Sequence, residues 1–397
     1  MSTEYKNLES NIWKYTLILV ANKRLFAAIL SVYYLTIPDV TASTIGTFIL
    51  IGSLAGFIFE VPSGYFSDKI GHKTALVISR VATLISTLVF LFAESIPFLI
   101  LGTIFLSIGS AFISGTGSAF MHETLRAMGR ESEYTKIMGK ASSIGFAVPI
   151  FLSVLLPFFV AISFKIPFLV ALVVDFIGLC AALSLVKPNV PQENIDEIEI
   201  KRFRDVVKEG MDKKFFRYAL FSGILYGTLW TTGIFRGPYQ ESLGIAIIWF
   251  GALHGVGRVG ASVMLAYSGR LRDVIGGFHR FQATQIIVYG ILYAVLAIFT
   301  TWWIVASAFI VLNAFQWGMS KVEEGYLLDI VKTSNFKATL LSLKALIGEL
   351  VTAVTGIGMG ILIQHFGFQV GFGVLGGVIV LSLVVIQIYI HKRRIVT

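Results

Sequence analysis

The feature that most constrains this chain is a recurrence. Apolar runs of bilayer-crossing length, about 20 residues each, follow one another along nearly the whole sequence with short polar breaks between them. Of the 397 residues, 56% are hydrophobic and 14% charged, and no soluble core hides that much apolar surface. The bilayer is the solvent. Inside hydrocarbon each segment must satisfy its own backbone, and runs of Leu, Ile, Phe and Ala punctuated by Gly fit helices rather than alternating barrel strands. The expected fold class is all-α integral membrane.

The runs predict spans near residues 14–37, 42–62, 74–93, 96–121, 137–159 and 163–186, then near 215–236, 244–268, 280–299, 301–328, 338–364 and 368–390. Twelve transmembrane helices therefore fall into two six-helix bundles, 1–186 and 215–397, the second with a short basic tail. Between them residues 187–214 form the one long hydrophilic stretch, read as a cytoplasmic central linker. Its latter part suits either an amphipathic surface helix presenting Ile198, Ile200, Phe203, Val206 and Val207 to lipid, or a plain solvated linker. The opening residues lack a short apolar core followed by a small-residue cleavage site, so the first span is expected to stay in the membrane.

The formal net charge is +9, and its placement reports orientation. With a cytoplasmic N-terminus, the inner loops hold Lys69, Lys73, Arg126, Arg130, Lys136, Lys140, Arg270, Arg272, Arg280, Lys321, Lys332 and Lys337, and the tail His391 to Arg394 joins them. The outer side keeps Lys165 and Arg236 beside the acids Asp39, Glu94 and Glu241. Both termini are expected in the cytoplasm, at a bacterial inner membrane. A nucleic-acid partner would need a soluble basic face with base-reading side chains, and no such segment exists. The one cysteine, Cys180, excludes an intrachain disulfide and a cysteine-rich metal site.

The halves echo each other. Residues 64–71 read GYFSDKIG and residues 269–276 read GRLRDVIG, each after the second span of its half. Asp68 and Asp273 are 273 − 68 = 205 apart, and the acids near the end of each fourth span, Glu123 and Asp329, are 329 − 123 = 206 apart. Such a repeat fits two bundles that rock about a substrate held between them.

On these residues the chain resembles the major facilitator superfamily. GYFSDKIGHK looks like its loop signature, with Gly64, Asp68, Gly71, His72 and Lys73 matching, and Gly269, Asp273, Gly276 and Arg280 forming a degenerate copy. The resemblance implies two pseudo-symmetric bundles, alternating access and a gating role for this loop. FEVPSGYFSDKIGHK and SGTGSAFMHETL further resemble the bacterial branch of drug and small-amphiphile exporters. Two departures stand against that branch. The arginine its proton-coupled members carry four residues before a span-four glycine is Phe105 here, relative to Gly109, and of the span-five antiporter signature only Gly145 and Pro149 remain.

Ionisable residues within spans are functional candidates, because a charge near the bilayer centre costs on the order of 2.5–3.5 kcal/mol. Glu60 and Arg80 fall at similar depth beneath one loop and are expected to pair, either as packing or in proton coupling. Glu123 reads as a proton site or as the helix-surface partner of Arg126. In the second half the candidates are Arg258, Glu323, Glu324, Lys344 and Glu349, the last needing a cavity or a partner such as Lys344 or Arg258. The family lines its cavity with spans one, four, seven and ten. Those spans offer Tyr33, Tyr34, Tyr226, Trp230, Arg236, Asn313, Gln316 and Trp317, an aromatic-rich set that suits a lipophilic or amphiphilic cargo or anchors spans at the interface.

The functional expectation is a secondary transporter, driving export of a small lipophilic or amphiphilic molecule with the proton gradient, or else importing a nutrient or lipid-like solute. An enzyme is disfavoured: the six histidines are scattered without an i, i+4 pair, no nucleophile constellation is visible, and they read as lone helix-end residues. Gly255, Gly257 and Gly260 lie inside span eight with no strand before them, so they are packing glycines. No P-loop occurs, hence no ATP site. No catalytic residue, metal or cofactor is expected. The partners are the bilayer and a small-molecule substrate, and the chain is expected to work as a monomer. A channel or sensor on the same scaffold is the remaining reading.

Overall fold

The computed structural model describes residues 3–114, 116–188, 208–211, 215–330 and 337–392. Among these the regular structure is helical, with no strand. Besides a short helical stretch at residues 208–211, the described α-helices run in order: α1 (Thr3–Ala21), α2 (Leu30–Leu35), α3 (Ala42–Ile70), α4 (His72–Leu91), α5 (Ile96–Ile113), α6 (Thr116–Ala127), α7 (Tyr134–Leu155) and α8 (Lys165–Leu183), then α9 (Phe215–Ser242), α10 (Phe250–Ala266), α11 (Ser268–Ile275), α12 (Phe278–Ile298), α13 (Trp302–Gly318), α14 (Ser320–Ile330) and α15 (Lys337–Lys392).

Nine helical segments among the described residues are long and apolar enough to cross a membrane. One of them, Leu343–Tyr389, holds 47 residues, about twice what a bilayer needs. It is broken at Gly367, whose φ of 84° and ψ of 173° lie outside helical geometry. The twelve expected spans each fall on a helix or on consecutive helices. The first and seventh lie on the α1–α2 pair and on α9, which carry several charges: Lys6, Glu9 and Lys14 in α1, Arg217, Arg236 and Glu241 in α9.

Several spans differ from the sequence expectation in continuity, among them the first, the fourth and the tenth, the last divided between α13 and α14. The run 14–37 is not one helix: α1 ends at Ala21 and α2 starts at Leu30, with the polar Asn22, Lys23 and Arg24 in the break. The fourth span is likewise divided, α5 ending at Ile113 and α6 starting at Thr116. In each case a hydropathy window spans a break, because apolar content continues where the helical hydrogen-bond ladder stops.

The chain forms two compact units. The first comprises Met1–Val40, Ile51–Glu193 and Ile247–Ala252, the second Thr41–Leu50, Asn194–Ala246 and Leu253–Thr397. In the first unit α4 packs on α5 and α8, and α1 on α7 and α8. Ser79 donates to the Gly109 carbonyl at 2.6 Å and Ser86 to the Gly102 carbonyl at 2.7 Å, so small hydroxyls stitch α4 to α5. In the second unit α15 packs on α9 and α12. The first turns of α3 belong to this unit and meet α15 backbone to backbone. A Cβ at Gly46 would lie 2.6 Å from the Gly356 carbonyl oxygen, so only glycine permits the approach.

Of the linker 187–214, only 187–188 and 208–211 are described. Ile198, Ile200, Phe203, Val206, Val207, Lys332, Arg393 and Arg394 lie outside the described residues, as do the side chains of Asp68, Lys337, His391 and Lys392.

Candidate functional site

The signature loop is built on a glycine. Gly71 joins α3 to α4 with φ 89° and ψ 143°, and Gly276 ends α11 with φ 79° and ψ −122°. These are backbone regions that a Cβ makes costly. The two are 276 − 71 = 205 residues apart, matching the offset of the repeat. Directly after the first turn, His72 receives two partners: Ser67 Oγ lies 2.8 Å from its Nδ1, and Glu123 Oε1 lies 3.2 Å from its Nε2. Thr116 Oγ1 donates to Ser67 Oγ at 3.0 Å. Glu123 thus reaches across to His72 rather than to the expected Arg126, which is exposed. The second half repeats the device: Arg272 of α11 pairs with Asp329 of α14, and the Tyr326 hydroxyl donates to the Gly276 carbonyl. Gly64, Gly269, Asp273 and Arg280 are exposed or solvent-edge positions near these loops, as is Lys73 in the first turn of α4.

Within the first unit, a buried polar network lies where sequence reading predicted only a pair. Glu60 does not meet Arg80. Its Oε1 accepts a hydrogen bond from Ser114 Oγ at 2.8 Å, and among the described residues it forms no ion pair. Arg80 is fully buried, and its Nη2 donates to Asn22 Oδ1 at 2.9 Å and to Ser79 Oγ at 3.1 Å. The acid nearby is Asp175, in the middle of α8, and its ion-pair partner is Arg24. Its Oδ1 stands 3.9 Å from Arg24 Nη1, and Thr87 Oγ1 donates to its Oδ2 at 2.6 Å. Asn22, Arg24 and Asp175 were missed from sequence. A lone Asp within the apolar run ALVVDFIG was the available signal.

Tyr33 and Tyr34 do not face an open cavity. Both are buried, Tyr33 donates to the Phe90 carbonyl at 2.6 Å, and its ring lies 4.6 Å from that of Phe168. A hydroxyl with a carbonyl in reach folds inward, where it satisfies itself and the ring packs.

In the second unit, α9, α10 and α13 bring together four sequence candidates and one residue that sequence reading set aside. Arg236 is not an outer-loop charge: it is buried within α9, and its Nη1 lies 2.8 Å from His254 Nδ1. Arg258, one helical turn beyond His254 on α10, places Nε 3.4 Å from His254 Nε2 and its guanidinium 4.2 Å from the Trp317 ring. Asn313 Nδ2 is 3.4 Å from His254 Nδ1. The approach of α10 to α13 depends on Gly257 and Gly260: added Cβ atoms there would stand 3.1 Å from Asn313 Cβ and 3.0 Å from Ala314 Cβ. His254 is therefore no isolated helix-end histidine.

The remaining candidates are dispersed. Lys344 pairs with Glu323, Nζ to Oε1 at 3.7 Å, and Lys321 with Glu324. Glu349 is half-buried beside Gly348, which packs against the Tyr226 ring. Tyr226 stacks with Trp230, centroids 5.9 Å apart, and both rings are exposed on the unit. Gln316 is half-buried on α13.

Two helical units, repeated signature turns and nine helical segments among the described residues long and apolar enough to cross a bilayer define a polytopic helical membrane protein. Comparison with known proteins identifies its kind: the family model of the Major Facilitator Superfamily matches residues 15–322, and the chain belongs to that family. It is 24% identical over 365 residues to YxaM of Bacillus subtilis (strain 168), described as an uncharacterized MFS-type transporter, with 90% of each chain covered. Among solved structures it resembles a mutant of the nucleoside transporter NupG, with a TM-score of 0.81 at 10% identity over 95% of this chain and 99% of that one. It also resembles a POT family transporter in complex with 5-aminolevulinic acid, with a TM-score of 0.70 at 13% identity over 98% and 96%.

Proposed function

We propose that this facilitator is a proton-coupled exporter of small amphiphilic molecules, working by alternating access as a monomer in a bacterial plasma membrane with both termini in the cytoplasm. It uses the proton gradient and no ATP site or other cofactor. The observation that supports coupling is Glu60. A carboxylate held by a counter-cation resists protonation, whereas one held by a single hydroxyl, as Glu60 is by Ser114, exchanges a proton readily. Exposed stacked rings at Tyr226 and Trp230 support an amphiphilic cargo.

The test uses inverted vesicles with an imposed proton gradient and a panel of lipophilic dyes. Wild type accumulates dye, a protonophore abolishes the accumulation, and Glu60→Gln loses gradient dependence while keeping counterflow. Glu349→Gln is the parallel variant. Intact gradient-driven transport in Glu60→Gln excludes coupling at that site. The second reading, uptake of a nutrient, is favoured by the departures at Phe105 and in span five. It predicts no dye movement in inverted vesicles and solute accumulation in right-side-out ones.

A further inference from the structure

The basic cluster of the second unit holds more hydrogen-bond donors than acceptors, and the imbalance points to a ligand. His254 has a guanidinium at each ring nitrogen, Arg236 Nη1 at 2.8 Å from Nδ1 and Arg258 Nε at 3.4 Å from Nε2. Guanidinium only donates. A neutral imidazole has one accepting nitrogen and a protonated one has none. At most one of the two contacts is a hydrogen bond at any moment, and the other cation faces an N–H. Beside them Asn313 Oδ1 is buried and, among the described residues, has no partner.

The charges of this cluster are not balanced by an ion pair either. Among the described residues none includes Arg236, His254 or Arg258, and the paired acids of this unit serve other cations: Asp329 binds Arg272, Glu324 binds Lys321 and Glu323 binds Lys344. Glu241 follows Arg236 by five residues on α9, about 140° around the helix, and is exposed. Two cations packed between apolar helices, with no ion-pair partner among the described residues, are costly. Trp317 holds the Arg258 guanidinium over its ring at 4.2 Å, and a planar guanidinium suits two-point contact with an oxyanion.

We propose that Arg236, His254 and Arg258 bind the oxyanion, carboxylate or phosphate, of an amphiphilic substrate, with Asn313 Oδ1 accepting from a donor carried next to it. The inference rests on the transport reading for its physiological sense and narrows its cargo to anionic amphiphiles.

The experiment uses the full-length protein in nanodiscs and four eight-carbon probes: octanoate, octyl phosphate, octanol and octylammonium. At least one anion binds, read by calorimetry and thermal stabilisation, and the alcohol and the ammonium do not. The tighter anion tells carboxylate from phosphate recognition. Arg236→Gln and Arg258→Gln each weaken anion binding about tenfold or more. Equal binding of octanol and octanoate by the wild type overturns the site, and this arm needs no variant to fold. Unchanged anion affinity in both variants overturns it as well. Gradient-driven flux of neutral dyes with no anion preference removes the site and leaves the transport reading. Anion binding with no gradient-driven flux upholds the site and removes the coupled-export reading.

Discussion

His72 Nε2 and Glu123 Oε1 stand 3.2 Å apart, joining the residue that follows the signature turn to the end of the fourth span. In the other half Asp329, 206 residues beyond Glu123, meets Arg272 of its own turn. Each acid of the repeat thus clamps the loop of its own half. The pairs are part-exposed, so each is worth about 0–1 kcal/mol. Glu123→Gln and Asp329→Asn are expected to leave the melting temperature nearly unchanged but to alter the transport rate. A double-mutant cycle of His72→Asn with Glu123→Gln checks the coupling, and strictly additive rate effects refute it.

The turns themselves depend on glycine. Gly71→Ala and Gly276→Ala place a Cβ at φ 89° and 79°, which costs about 1–3 kcal/mol each. Both variants are expected to melt earlier than wild type. Gly64→Ala, where an added Cβ meets nothing within 4 Å and φ is ordinary, is the control and shifts melting little.

Asp175 is an acid within a buried network. Removing it leaves Arg24 without its ion-pair partner, beside the fully buried Arg80, which has no ion pair of its own among the described residues, a loss of about 3–5 kcal/mol. Asp175→Asn should express poorly or melt far below wild type. Thr87→Val, which deletes only the hydroxyl donor to Asp175, should cost about 1 kcal/mol. Equal effects of the two would show that the charge is not what matters.

A pH dependence is expected at the turn between α6 and α7. Arg130 grips Glu133 at two points, Nε to Oε1 at 3.0 Å and Nη2 to Oε2 at 2.9 Å. This hydrogen bonding holds the Glu133 carboxyl below the ordinary glutamate range. A depressed folded-state value means the contribution is present above the unfolded value and is lost as pH falls through the folded one. Wild type should melt slightly above Glu133→Gln at neutral pH, and the two curves should converge in acid. A constant gap across the titration counts against the pair.

Hydropathy and charge placement determined that this chain is an all-α membrane protein with two similar halves, because the bilayer acts on each segment separately and both signals are local. The signature turn was legible for the same reason: GYFSDKIGHK carries its own backbone requirement in Gly71. Partner choice was decided only by the tertiary structure. Glu60 and Arg80, expected at one depth, turn to Ser114 and to Asn22, because depth does not fix the azimuth of a side chain around its helix. Asp175, Arg24 and Asn22 meet across helices far apart in sequence, and Arg236 enters a cluster with His254 and Arg258 that three helices assemble. A sequence records which charges the membrane must tolerate, but the geometry of helix packing decides which of them face each other.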